Sequence, residues 1–147
     1  MTQSFRDLVV WQRAMQLTVA IYKLTKSFPR EEQFGLTSQI RRSVISIPSN
    51  IAEGQGRTTA GEFKQFLGIA RGSTCEVQTQ LEIARALSFG DAKLIDGAEA
   101  LSNEVRKMLF GLDRDRSTLL FTGWSTRDGF KRSGEPRKTI EEPSTTR

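Results

Sequence analysis

The chain contains no histidine and only one cysteine, Cys75, in 147 residues. The first absence removes the commonest general base near neutral pH and the commonest nitrogen ligand for a metal ion. The second excludes an intramolecular disulfide and any thiolate cluster formed within one chain, and it is consistent with a reducing cytoplasm. Long apolar runs are missing too. None approaches the ~18 residues that a membrane-spanning helix needs, and no small-residue cleavage signal follows Arg6 and Asp7. Neither export nor membrane insertion is expected, and no cofactor or metal is implied.

What is present suits one domain: 37% of the residues are apolar, enough to build a core without staples. The formal net charge is +5. Such an excess favours acidic partners, nucleic acid among them, with a solvated basic surface as the ordinary alternative.

The stretch from Phe28 to Gly54 organises the rest. Leu36, Ile40, Val44, Ile47 and Ile51 recur every three or four residues, the period of one helical face. A helix is expected from Leu36 to Glu53, with Gly54 as its left-handed terminator. Yet it contains Pro48, which removes a backbone donor and costs about 3 kcal/mol in a helix interior. Some local contact must offset that cost. The outer face is also unusual, because Ser38, Ile45, Ser49 and Ala52 stand where water would favour lysine and glutamate. That face is expected to meet another surface.

The run FGLTSQIRRSVISIPSNIAEG, preceded by FPREE and followed by FKQFLGIARGSTCEVQTQLEIA, resembles the bacterial four-helix-bundle family of 23S rRNA intervening-sequence proteins. The likeness extends over about residues 5 to 112 and includes the opening DLVVWQRA and the IYKLTKSFP that ends the first helix. That family is related to the accessory variability determinant of diversity-generating retroelements, a nucleic-acid-binding homopentamer. The resemblance therefore implies an oligomeric, non-enzymatic bundle, with a pentamer as the expected assembly.

The remaining residues read consistently with an all-α, antiparallel up-down four-helix bundle. Ser4 and Asp7 have capping-box spacing, so the first helix should start there. Two apolar rows follow, Leu8, Trp11, Met15, Thr18 and Tyr22 beside Val10, Ala14, Leu17, Ile21, Leu24 and Phe28, giving a wide buried face. At these spacings Trp11 and Tyr22 read as core, not as base-stacking aromatics. Between Asp7 and Glu31 every charged residue is basic: Arg13, Lys23, Lys26 and Arg30. Beyond Pro29, Glu31 and Glu32 sit where a helix start favours negative charge.

Gly54 and Gly56 do not complete a dinucleotide fingerprint, since no strand precedes them. Arg57 beside the next helix start could bind phosphate, but Thr59 and Glu62 have the spacing of an ordinary capping box. The third helix, Ala60 to Ser88, carries two seams. Phe63, Leu67, Ala70, Thr74, Val77, Leu81 and Ala84 should face the core. Phe66, Ile69, Ser73, Glu76, Gln80, Ile83 and Leu87 form a second row that one bundle can hardly bury as well, which makes it a candidate subunit interface. Gly68 and Gly72 should mark close backbone approach, given their cost of about 1 kcal/mol each in a helix. Gly90 then closes this helix and Asp91 caps the fourth. There Leu94, Ala98, Leu101, Val105, Met108 and Leu112 make the core face, and Asp91, Asp96, Glu99 and Glu104 make one side acidic.

After Asp115 the periodicity fails. Residues 117–147 are expected to form a flexible basic tail beyond a bundle of residues 1–116, and its Trp124 and Phe130 lie beside Arg127, Lys131 and Arg132. The functional expectation is nucleic-acid binding, RNA foremost, with Arg13, Lys23, Lys26, Arg30, Arg41 and Arg42 contacting phosphates. The self-association surface is expected at Ile45, Phe66, Ile69, Ser73, Glu76, Ile83 and Leu87. The alternative is a protein-binding scaffold in which Arg41 or Arg42 pairs with Glu76 across subunits. Catalysis is not expected, because Glu76 has no accompanying acid or nucleophile at sequence level.

Overall fold

The computed structural model describes residues 4–114. The expected tail, with Trp124, Arg127, Phe130, Lys131 and Arg132, lies outside the described residues. Four α-helices follow in order: α1 (Val9–Thr25), α2 (Leu36–Gln55), α3 (Ala60–Ala86) and α4 (Ala92–Arg114). Single 3-10 turns at Phe5–Asp7 and Arg30–Glu32 precede α1 and α2, and there is no strand among the described residues.

Cross-helix partners fix the directions. Thr25 and Thr18 of α1 meet Arg41 and Val44 of α2. Ser43 and Ser46 of α2 meet Glu76 and Ser73 of α3, while Arg85 and Gln78 of α3 meet Asp96 and Asn103 of α4. Along each pair one number rises as the other falls, so successive helices are antiparallel. The bundle closes where Arg13 of α1 pairs with Glu104 of α4 at 3.2 Å.

The core is assembled from the inward row of each helix. In α3 all of Phe63, Leu67, Ala70, Thr74, Val77, Leu81 and Ala84 are buried, as the spacing predicts. The row from Val10 to Phe28 is buried, but its companion row beyond Leu8 is not. Met15 and Tyr22 are 38% and 37% exposed and Trp11 is only half-buried, because α1 packs chiefly against α2 and α4, with Phe5 of the preceding turn on Trp11, and these cannot cover so wide a face. In α4 the face is rotated. Leu94 is 44% exposed while Ile95 is buried, and Ser102 is fully buried two turns further on. Ser102 is tolerated because its hydroxyl donates to the Glu99 carbonyl at 2.8 Å.

The helix ends depart from expectation in three places. Ser4 accepts the Arg6 amide at 3.3 Å and caps only the 3-10 turn; α1 starts afresh at Val9. The intervening Leu8 is extended, and this break turns its side chain into the core. Gly54 is not a left-handed terminator, since α2 continues through it to Gln55. A Cβ placed on Gly54 would lie 3.0 Å from Phe66 Cβ, so the glycine serves the close approach of α2 to α3. Nor does Gly90 close α3: the left-handed residue after the C-cap Leu87 is Ser88, with φ of 57°, and the Phe89 amide returns to the Ala84 carbonyl at 2.8 Å, while Gly90 lies beyond with φ of 75° and Leu24 Cδ1 only 2.7 Å from where its Cβ would be.

Three caps follow the sequence pattern. Glu32 Oε2 accepts the Leu36 amide at 2.9 Å, Thr59 Oγ1 accepts the Glu62 amide at 3.2 Å, and Asp91 Oδ1 accepts the Lys93 amide at 2.7 Å. Pro48 sits inside α2, buried, and leaves the Val44 carbonyl without its helical donor. Thr18 Oγ1 of α1 lies 3.4 Å from that oxygen while also donating to Ala14 O at 2.8 Å, so the compensation is partial and comes from the neighbouring helix.

Candidate nucleic-acid and self-association surfaces

The cations expected to meet phosphate fall into two kinds. Arg13 is engaged, with Nε on Glu104 and Nη1 donating to Gln16 Oε1 at 2.9 Å. Arg41 is held as well: its Nε donates to Thr25 Oγ1 at 2.9 Å and its guanidinium lies 4.6 Å from the Tyr22 ring centroid. Lys23, Lys26, Arg30 and Arg42 are exposed, and no carboxylate pairs with any of them among the described residues. Lys23, Lys26 and Arg30 occupy the end of α1 and the turn after it, beside Arg41 on Tyr22. Arg13 lies about two to three turns away along α1 and faces α4.

Of the other cations, Lys64, Lys93 and Lys107 are likewise exposed without a carboxylate among the described residues, whereas two arginines are neutralised. Arg57 pairs with Glu53 at 2.7 Å and lies over the Phe66 ring, so it does not stand free at the α3 start. Arg85 bridges Asp96 at 2.9 Å and Glu99 at 2.6 Å, and the hydrogen bond it donates to Asp96 raises its pKa above the ordinary arginine value. The α3–α4 side is the acidic one, with a groove of about 370 Å³ lined by Cys75, Gln78, Thr79, Glu82, Glu99 and Asn103. No group of histidine, cysteine, aspartate and glutamate there or elsewhere among the described residues could hold a metal ion.

The second seam of α3 is divided by the structure. Its middle is polar because it packs on α2: Ser73 is buried and donates to Ser46 Oγ at 2.9 Å. The Ser43 hydroxyl lies 2.9 Å from Glu76 Oε2, and Gln80 Nε2 donates to Ser43 Oγ at 3.2 Å. Phe66 is half-buried under Arg57. The apolar remainder is open, with Ile69, Ile83 and Leu87 at 45%, 42% and 54% exposed. Ile45 is 43% exposed but belongs elsewhere. It lies one turn beyond Arg41 on the side of α2 that faces α1, where Met15 and Val19 are also exposed. Two separate apolar strips therefore flank α2. Gly68 and Gly72 would meet no backbone within 4 Å if given a Cβ, so they serve no close approach inside the described chain.

Sequence reasoning missed Phe34, which is 91% exposed at the turn between α1 and α2. The available signal was its position one residue before Gly35, off the period that begins at Leu36.

Comparison with known proteins agrees with this architecture. Residues 6–111 match the model of the family described as 23S rRNA-intervening sequence protein. The chain belongs to that family. A crystal structure at 1.70 Å of a protein with unknown function from the S23 ribosomal protein family of Bacteroides thetaiotaomicron superimposes on this intervening-sequence protein with a TM-score of 0.68. It shares 25% sequence identity and covers 73% of this chain and all of its own. Among curated proteins there is no match. No helix among the described residues is long and apolar enough to cross a membrane.

Proposed function

We propose that this protein is a non-enzymatic, self-associating helical bundle that binds RNA through the corner formed by the end of α1 and the start of α2. The observation that carries the reading is the contrast among its cations. Arg13, Arg57 and Arg85 are spent on carboxylates, whereas Lys23, Lys26, Arg30 and Arg42 face solvent without one among the described residues and, unlike the equally unpaired Lys64, Lys93 and Lys107, fall on consecutive elements. Unpaired cations gathered at one end supply phosphate contacts and the release of counterions that goes with them. The family's description ties its members to 23S rRNA intervening sequences, which favours RNA over DNA.

Self-association is supported by the two apolar strips. A closed ring uses a head-to-tail interface in which each subunit contributes two different patches, and Ile69 with Ile83 on one flank of α2 and Met15, Val19 and Ile45 on the other meet that requirement. The family resemblance sets five as the expected subunit number.

Binding of labelled RNA measured against salt tests the functional claim. The expected slope is a fall in log K of about 0.7 per phosphate contacted on a single strand. Replacing Lys23 and Lys26 by Gln should reduce both affinity and slope, while Arg13→Gln should leave the slope nearly unchanged. Affinity unaltered by the lysine substitutions would reject this surface and leave the scaffold reading in its place.

A further inference from the structure

One aromatic ring at the basic corner contributes nothing to the fold. Phe34 is 91% exposed, whereas Leu87, the next most open large apolar side chain among the described residues, is 54% exposed. Such a ring forgoes the burial that Phe28 and Phe63 obtain in the core.

Its backbone is nevertheless held. The amides of Glu32, Gln33 and Gly35 donate to the carbonyls of Pro29, Arg30 and Glu32 at 2.9, 3.1 and 3.0 Å. The Glu32 carboxylate then fastens the Leu36 amide that opens α2. Phe34 is thus presented on a fixed turn, so the ring does not lose the freedom of a loose loop when something covers it.

The charge around it selects the occupant. Lys26 and Arg30 are exposed just before it on the same connection, and Arg42 is exposed further along α2. Of the two acids in the turn, Glu32 is committed to the Leu36 amide and Glu31 alone faces solvent. On the neighbouring end of α3 the cation Arg85 is held by Asp96 and Glu99 and adds no free charge. A planar apolar face beside cations matches a base stacked on the ring with its phosphates on the lysine and arginine. An apolar peptide would match the ring but not the charge.

We propose that Phe34 is a base-stacking residue and that the ligand of this corner is single-stranded nucleic acid, because a duplex keeps its base faces stacked and unavailable. The inference rests on the nucleic-acid reading above and narrows it to unpaired strands.

The test is fluorescence anisotropy of the full chain with a labelled oligouridylate and with a labelled RNA duplex, for the unaltered protein, Phe34→Ala and Phe34→Trp. Stacking of one base predicts a loss of about five-fold or more in single-strand affinity for Phe34→Ala. Phe34→Trp should recover it, with indole fluorescence quenched on binding, and duplex affinity should be indifferent to both changes. Equal binding of strand and duplex, unaffected by Phe34→Ala, overturns the stacking role and leaves the basic surface intact. No binding of either RNA overturns both readings. A change in oligomer size on Phe34→Ala, read by light scattering, would instead make the ring a subunit contact and also overturn the proposal. Because the side chain is exposed, thermal unfolding should be alike for all three proteins.

Discussion

The hydroxyl of Ser43 on α2 lies 2.9 Å from a carboxylate oxygen of Glu76 on α3. The carboxylate that sequence placed in a subunit interface therefore already has a partner within its own chain. Removing either group should cost stability, and a double-mutant cycle with Ser43→Ala and Glu76→Leu should show coupling of about 1 kcal/mol in urea unfolding. Additive effects of the two changes would mean that Glu76 is engaged elsewhere.

Glycine substitutions should have opposite signs at two positions. Gly90→Ala puts a side chain in left-handed backbone and against Leu24, so a loss of about 2 kcal/mol or more is expected. Gly72→Ala meets nothing within 4 Å and should gain up to about 1 kcal/mol from helix propensity. Calorimetric midpoints would rise by a few degrees for the second and fall for the first. If Gly72→Ala instead breaks up the assembly, that face of α3 lies against another subunit.

Light scattering can test the two-strip arrangement. Ile69→Glu with Ile83→Glu removes one strip, and Met15→Glu with Ile45→Glu removes the other. Each double variant should be monomeric with its helical signal retained, since all four side chains are already 38–45% exposed. Mixed in equal amounts, the two variants should form dimers, because each keeps the patch that the other has lost. A monomeric unaltered protein sinks the assembly, and variants that fail to pair would show that the strips do not meet each other.

The core was legible where one helix had a strict period. α3 alternates apolar residues at every third and fourth place from Phe63 to Ala84, and every one of them is buried. In α4 the rows through Leu94 and Ile95 share Ala98, Val105 and Leu112, so hydrophobicity alone favoured Leu101 over Ser102. The bond its hydroxyl donates to the Glu99 carbonyl and the one it accepts from Gln78 Nε2 explain why the serine can be the buried one. The site was less legible, for a different reason. Spacing along one helix tells which residues share a face but not which neighbour covers it. Arg13 and Lys26 look alike in sequence, and Glu104, about ninety positions on, separates them. Ile45 was grouped with Ile69 for the same reason, although the two lie on opposite flanks of α2. Phe34 belonged to no period and so drew no notice.

The connectivity of the bundle also bears on how it forms. Helices that are consecutive in the chain are partners in space, so most native contacts close short loops and impose little entropic delay. The exception is the seam of α1 with α4 and the connection leading into it, where Arg13 reaches Glu104 and Leu24 lies against Gly90. That seam spans nearly the whole bundle in sequence and is the last place where the chain can find its register. Its contacts should therefore act chiefly as a latch, so that weakening them speeds opening more than it slows formation.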